Sequence, residues 1–126
     1  YAVRPKNLID YMNRVRAPFN VNTLAQAAAV AALDDQAHVQ TSRALNQRER
    51  ARLSEALIAR GLSVAPSQAN FILVDVKRPG RAVYDALLRK GVIVRPFASL
   101  PTALRVTIGT ERENDRFLAA LQEVLS

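Results

Sequence analysis

The sequence predicts an α+β fold in which a small, mostly antiparallel sheet of about three strands is covered by helices. Three observations predict this class. The first half of the chain carries apolar residues at helical spacing, and the second half alternates short β-branched runs with helical segments. A length of 126 residues with 49% hydrophobic content is typical of one globular domain. The predicted order is helix-helix-helix-strand-helix-strand-strand-helix.

Three helices are predicted before the first strand. The first runs from Pro5 to Val15, the second is the alanine-rich segment that begins at residue 22 or 23 and ends at Leu33, and the third spans about Asp35 to Arg60. We expect the alanine-rich helix to be buried on more than one side. Gly61 supplies the left-handed residue that ends the third helix. The apolar residues of the third helix that we expect to face inward are Leu45, Leu53, Leu57 and Ile58.

The remaining elements alternate between strand and helix. The predicted strands are residues 68–76 (QANFILVDV), 92–96 (VIVRP) and 103–109 (ALRVTIG). Residues 79–90 form a helix between the first two strands, and that crossover is expected to be right-handed. Thr110 and Glu113 have the spacing of a capping box, which predicts the start of a closing helix.

The charge is strongly basic and is carried mostly by arginine. The net charge is +7, and 15 of the 18 basic residues are arginine, whose planar fork suits phosphate or carboxylate. One cluster stands out, and it is interleaved with glutamates. We interpret it as a solvated helix face rather than a nucleic-acid patch, and expect no nucleic-acid partner. Its members are Arg43, Arg48, Arg50 and Arg52.

Several classes of protein are disfavoured by composition. No apolar stretch is long enough to span a membrane and no secretory signal is present, so we expect a cytoplasmic location without a membrane partner. The chain has no cysteine and one histidine, His38, so no metal site is expected. The four glycines fall at element boundaries rather than in a phosphate loop. Because it begins at Tyr1 without a methionine, we expect a piece of a longer polypeptide.

The most informative polar residues are two arginines on neighbouring predicted strands. Alternation places Arg105 on the face opposite Leu104 and Val106, and Arg95 ends one strand near where Arg105 begins the next. The two guanidinium groups then converge, and an anion between them would satisfy both. The alternative is that each pairs with a carboxylate, such as Asp75 or Glu111, or reaches water.

Asn70 is a third candidate, because it interrupts an apolar strand with a side chain that both donates and accepts hydrogen bonds. The simpler alternative is an amide satisfied at the strand edge. No carboxylate pair and no nucleophile beside a base can be recognised. The residues themselves therefore predict candidate anion-binding positions, but no catalyst and no metal-binding residue in this chain.

Four segments together resemble the C-terminal part of the histidinol-phosphate aminotransferase family, pyridoxal-phosphate enzymes of fold type I. They are residues 1–33, QANFILV, KGVIVRP and LRVTIGTERENDRFLAAL, and the resemblance runs from Tyr1 to about Leu121. It implies that residues 1–34 are a hinge helix and connector from a large domain absent here, and that 35–126 are the small domain. It also implies a homodimer whose cofactor-binding lysine lies upstream of Tyr1, so the chain alone is expected to be inactive.

The resemblance gives Arg95 and Arg105 the role of holding the anionic end of the substrate. The implied reaction transfers an amino group between L-histidinol phosphate and 2-oxoglutarate in histidine biosynthesis, with pyridoxal phosphate as the electron sink. Two other enzymes share this small domain and stay open as alternatives, an aromatic aminotransferase and a threonine-phosphate decarboxylase. From a different class, a free-standing basic module that binds nucleic acid is the remote alternative.

Overall fold

A computed structural model describes residues 4–126, which fall into two compact units, one up to Ala37 and one from His38 to Ser126. The order of elements agrees with the prediction except for one added strand. The helices are α1 (Lys6–Val15), α2 (Thr23–Leu33), α3 (Gln36–Ala59), α4 (Gly80–Arg89) and α5 (Glu111–Leu125). The strands are β1 (Ser63–Val64), β2 (Phe71–Asp75), β3 (Arg95–Phe97) and β4 (Leu100–Thr107).

The first unit contains α1, α2 and the connector between them. Asn22 caps α2, since its side chain accepts a hydrogen bond from the backbone N–H of Ala25 at 2.9 Å. No residue of α1 or α2 is buried. The prediction that the alanine-rich helix is buried on more than one side is therefore wrong for the described residues, because small side chains permit close packing but do not supply a partner.

The second unit contains a four-stranded antiparallel sheet with the order β1-β2-β4-β3. Strands β2 and β3 both pair antiparallel with β4, so they run in the same direction and α4 connects them across β4. The α+β class with a small antiparallel sheet is confirmed. Strand β1 was not predicted, because two residues are too short to show an alternating pattern.

Alternation along β2 and β4 divides the sheet into two faces. Ile72, Val74, Leu104 and Val106 are buried against α3, α4 and α5, whose largest buried residues include Leu53, Leu57, Leu87, Phe117 and Leu121. The opposite face, which we call the open face, carries Phe71, Leu73, Arg105, Thr107 and Arg95. Ile58 was predicted to face inward but is 57% exposed, since it lies one residue beyond the buried Leu57.

The helix ends follow the predicted chemistry. Gly61 and Gly91 have φ angles of 77° and 75°, the left-handed conformation that ends α3 and α4. Thr110 and Glu113 form the predicted capping box at the start of α5. These ends lie before β1, before β3 and after β4, respectively.

Candidate anion-binding site

Arg95 and Arg105 are direct cross-strand partners in the pairing of β3 with β4. Directly paired residues of an antiparallel sheet project to the same face, so both side chains lie on the open face. The predicted neighbouring position of the two residues is confirmed, but their place in the strands differs, and convergence of the guanidinium groups stays a prediction. Arg95 begins β3 rather than ending it, and Arg105 lies near the end of β4. Pro96 follows Arg95 on an edge strand, where a residue without an N–H is tolerated.

Each guanidinium group lies over an aromatic ring. The Cζ atom of Arg105 is 5.2 Å from the centroid of Phe71, and that of Arg95 is 5.7 Å from the centroid of Phe97. Both distances are in the range of cation–π contacts. A ring covers only one face of the planar group, so the N–H edges stay available to an anion.

Neither arginine is paired with a carboxylate among residues 4–126. Asp75 accepts a hydrogen bond from the backbone N–H of Lys77 at 2.8 Å, which is the main reason that its pKa is lowered. Glu111 contacts the Arg52 side chain through its backbone carbonyl. The alternative in which Asp75 or Glu111 neutralises the two arginines is therefore not what the structure contains.

Asn70 lies one residue before β2. Its backbone carbonyl accepts a hydrogen bond from Ile108 N–H at 2.9 Å, which extends the ladder between β2 and β4 by one residue. The side chain is exposed and makes no hydrogen bond to the described residues. Asn70 is thus held at the end of the sheet where Phe71 pairs with Thr107. Thr107 lies two residues after Arg105 on β4.

Helix α3 fixes the loop that leads to Asn70. Arg50 donates from Nη1 to the carbonyl of Ala69 at 3.0 Å and from Nη2 to Gln68 Oε1 at 3.2 Å. Asn46 donates to the same Ala69 carbonyl at 3.4 Å. These contacts join the helix to the start of β2.

The same helix fixes the loop after β4 through a buried carboxylate that the sequence analysis missed. Glu49 is 1% exposed and accepts hydrogen bonds from Arg52 Nη2 at 2.8 Å and from Asn114 Nδ2 at 3.0 Å. Asn114, which is 2% exposed, also bonds both the N–H and the carbonyl of Gly109 at 3.1 Å. Glu49 therefore connects α3 to the loop that follows the strand of Arg105.

The interpretation of the arginine cluster as a solvated helix face is wrong for Arg50 and Arg52. Arg52 bonds Glu49 and also pairs with Asp115 at 2.7 Å, while Arg50 holds the loop before β2. These contacts could not be predicted from the local sequence pattern, because Asp115 and Ala69 are distant from the arginines in sequence. The hydrogen bonds from Arg52 and Asn114 outweigh burial and lower the pKa of Glu49, and the same ion pair raises the pKa of Arg52.

The described lysines are engaged away from the two arginines. Lys6 pairs with Asp10, Lys77 donates to the carbonyl of Gly61 at 2.6 Å, and Lys90 pairs with Glu123. None of these contacts involves Arg95 or Arg105. Within residues 4–126, no cluster of three or more metal-ligating side chains occurs. No helix of that range is long and apolar enough to cross a bilayer.

Comparison with known sequences gives a family and several relatives. The family described as aminotransferase class I and II matches residues 1–121. Histidinol-phosphate aminotransferase 1 of Nitrosococcus oceani is 55% identical over 127 residues, which cover 99% of this chain and 34% of the relative. Histidinol-phosphate aminotransferase 2 of Pseudomonas aeruginosa is 56% identical over 128 residues, covering 100% and 35% respectively. The chain spans about a third of the length of these relatives.

Solved structures of histidinol-phosphate aminotransferases are also similar to this chain. The histidinol-phosphate aminotransferase of Sinorhizobium meliloti in complex with pyridoxal-5′-phosphate superposes with a TM-score of 0.75 at 29% identity, over 94% of this chain and 34% of that one. That of Clostridium acetobutylicum superposes with a TM-score of 0.75 at 28% identity, over 95% and 38%.

Proposed function

Because the chain belongs to the aminotransferase class I and II family, we propose that it recognises the substrate and closes the active site of a pyridoxal-phosphate-dependent transaminase. The proposed reaction is transfer of an amino group between L-histidinol phosphate and 2-oxoglutarate in histidine biosynthesis. The observation that carries the proposal is the cross-strand pair of Arg95 and Arg105, which have no carboxylate partner among the described residues. The names of the two relatives described above, each more than half identical to this chain, support the choice of substrate.

The open face suits the two kinds of anionic group that such an enzyme must accept. A phosphate monoester and a carboxylate both take parallel N–H bonds from a guanidinium edge. Arg105 is half-buried and flanked by Leu73 and Arg95, so an anion there is more shielded from water than at a fully exposed arginine. In this proposal Arg105 and Arg95 hold the anionic end of the substrate, and the unpaired amide of Asn70 makes a further polar contact.

The rest of the proposal concerns the longer protein. Residues 1–34 are the hinge helix and connector, and residues 35–126 are the small domain. The intact enzyme is a cytoplasmic homodimer that acts on small molecules, without a nucleic-acid or membrane partner. On the nucleic-acid partner alone, support comes from Arg50 and Arg52, whose side chains are bonded within the chain rather than forming a free basic patch.

Pyridoxal phosphate, when bound, supplies the electron sink for the reaction. We assign its attachment to another part of the longer polypeptide, and the contacts of Lys6, Lys77 and Lys90 with residues other than Arg95 and Arg105 support this assignment. The residues of this chain bind and orient the substrate and, on closure, exclude water from it.

The proposal is tested by Arg105→Ala in the full-length polypeptide that carries this chain. Loss of a charge-assisted contact to a shielded anion costs about 2–5 kcal/mol, so the KM for histidinol phosphate should rise by about 30-fold or more. The dissociation constant for pyridoxal phosphate should stay unchanged in a spectroscopic titration. The matched control is Arg89→Ala, which removes an exposed arginine from the last turn of α4.

Two results would contradict the proposal. One is an equal loss of cofactor and substrate affinity in Arg105→Ala, which would indicate general damage rather than a lost substrate contact. The other is a preference of the unaltered enzyme for aromatic amino acids, or decarboxylation of threonine phosphate, over transamination of histidinol phosphate.

A further inference from the structure

The two aromatic rings lie on opposite sides of the paired arginines. Phe71 comes two residues before Leu73, the β2 partner of Arg105, while Phe97 comes two residues after Arg95 on β3. Because β2 and β3 run in the same direction, these offsets lead to opposite ends of the sheet. Each guanidinium group is therefore in contact with its own ring, Arg105 with Phe71 and Arg95 with Phe97.

Packing in the hydrophobic core does not explain why residue 71 is aromatic. It is the first residue of β2, it is 37% exposed, and it lies on the open face rather than in the core. Its ring nevertheless covers the guanidinium of the half-buried Arg105 at 5.2 Å. This partly exposed ring is thus in contact with the cation of the candidate site.

The cross-strand partners of Arg105 offer no group that would fix the orientation of its guanidinium. Its partner on β3 is Arg95, a like charge, and its partner on β2 is Leu73, which offers no polar group. No carboxylate of the described residues holds the guanidinium in place. A stacked ring restrains the planar group by one face and leaves the N–H edge free, whereas a salt bridge would occupy that edge.

We propose that Phe71 is a positioning residue that holds the Arg105 guanidinium ready to bind the phosphate or carboxylate of the substrate. The inference rests on the proposed function, since it assumes that Arg105 binds an anion. Restraining the side chain before binding lowers the entropy lost when the anion binds. Phe71 itself does not touch the anion.

The test uses the full-length polypeptide that carries this chain, labelled with ¹⁵N, with inorganic phosphate as the probe. Spectra of the arginine Nε–Hε groups report both the ring current on Arg105 and its titration by phosphate. In Phe71→Leu the Arg105 Hε resonance should lose its ring-current shift, and the phosphate dissociation constant should rise about 2- to 5-fold, as expected for one cation–π contact. Phe71→Tyr keeps the ring and should restore both values.

Controls separate the inference from the proposed function. Leu88→Ala shortens a side chain on α4 that is 42% exposed, and it should change neither value. If Arg105→Gln abolishes phosphate binding while Phe71→Leu binds as tightly as the unaltered chain, the positioning role is overturned and the anion site stands. If Arg105→Gln binds phosphate as well as the unaltered chain, the anion site is contradicted and the positioning role is overturned with it.

A second readout excludes a merely structural role. In the full-length enzyme, Phe71→Leu should raise KM for histidinol phosphate by the same factor, with kcat and melting temperature unchanged. A fall in melting temperature that Phe71→Tyr shares, without any change in KM, would overturn the inference.

Discussion

At the residue scale, the buried carboxylate of Glu49 holds the loop after the strand of Arg105. Glu49→Gln keeps the shape but removes the charge that Arg52 and Asn114 share. Because hydrogen bonds to a buried charged group contribute about 1.5–3 kcal/mol, we expect the free energy of unfolding to fall by about that amount. Urea denaturation of the 126-residue chain at pH 7 measures it. Glu55→Gln, at an exposed position of the same helix, should stay within about 0.5 kcal/mol of the unaltered chain.

The difference in stability between the unaltered chain and Glu49→Gln should depend on pH. The pKa of Glu49 is lowered in the folded state by its hydrogen bonds to Arg52 and Asn114. Its contribution is therefore fully present above the usual value of 4.5 and is lost as the pH falls through the lowered folded value. The stability difference between the unaltered chain and Glu49→Gln should shrink below pH 4.5. A difference that stays constant down to strongly acidic pH would contradict the assignment.

At the element scale, the capping box fixes where β4 stops and α5 begins. The Thr110 side chain accepts from the N–H of Glu113, and the Glu113 carboxylate accepts from the N–H of Thr110 at 2.8 Å. Thr110→Ala removes one half of the box and should cost about 1 kcal/mol of stability, measured by thermal unfolding. Ser99→Ala in the exposed β3–β4 turn is the control, and an equal loss in both variants would contradict the capping role.

The element scale also shows what the sequence could predict. Local signals placed every helix to within one or two residues, because caps, glycines and apolar spacing act within a few positions. The strand limits were displaced, since pairing between β3 and β4 decides where each strand begins. The burial of Glu49 could not be predicted, because its partner Asn114 lies 65 residues away on another helix. The arginine pair was predictable in part: strand alternation places Arg105 on the face opposite Leu104 and Val106, but its pairing with Arg95 also required the two strands to be neighbours.

At the scale of the whole molecule, one face of the sheet is packed and the other carries the proposed site. Helices α3, α4 and α5 bury the first face, and α3 holds the loops at the end of the sheet next to Arg105. Two arginines directly opposite each other on neighbouring strands repel, which is destabilising. A bound anionic substrate would offset this repulsion by accepting hydrogen bonds from both guanidinium groups. The central claim is therefore that the Arg95–Arg105 pair recognises the anionic group of the substrate.

The most direct test compares two ligands that differ only in that group, histidinol phosphate and histidinol, bound to the full-length polypeptide. The unaltered protein should bind the phosphate ester far more tightly, and Arg105→Gln should reduce this preference by about 30-fold or more, as expected for a lost charge-assisted contact. Arg89→Gln should keep it. If Arg105→Gln keeps the full preference for histidinol phosphate, the pair does not recognise the anion and the account is contradicted.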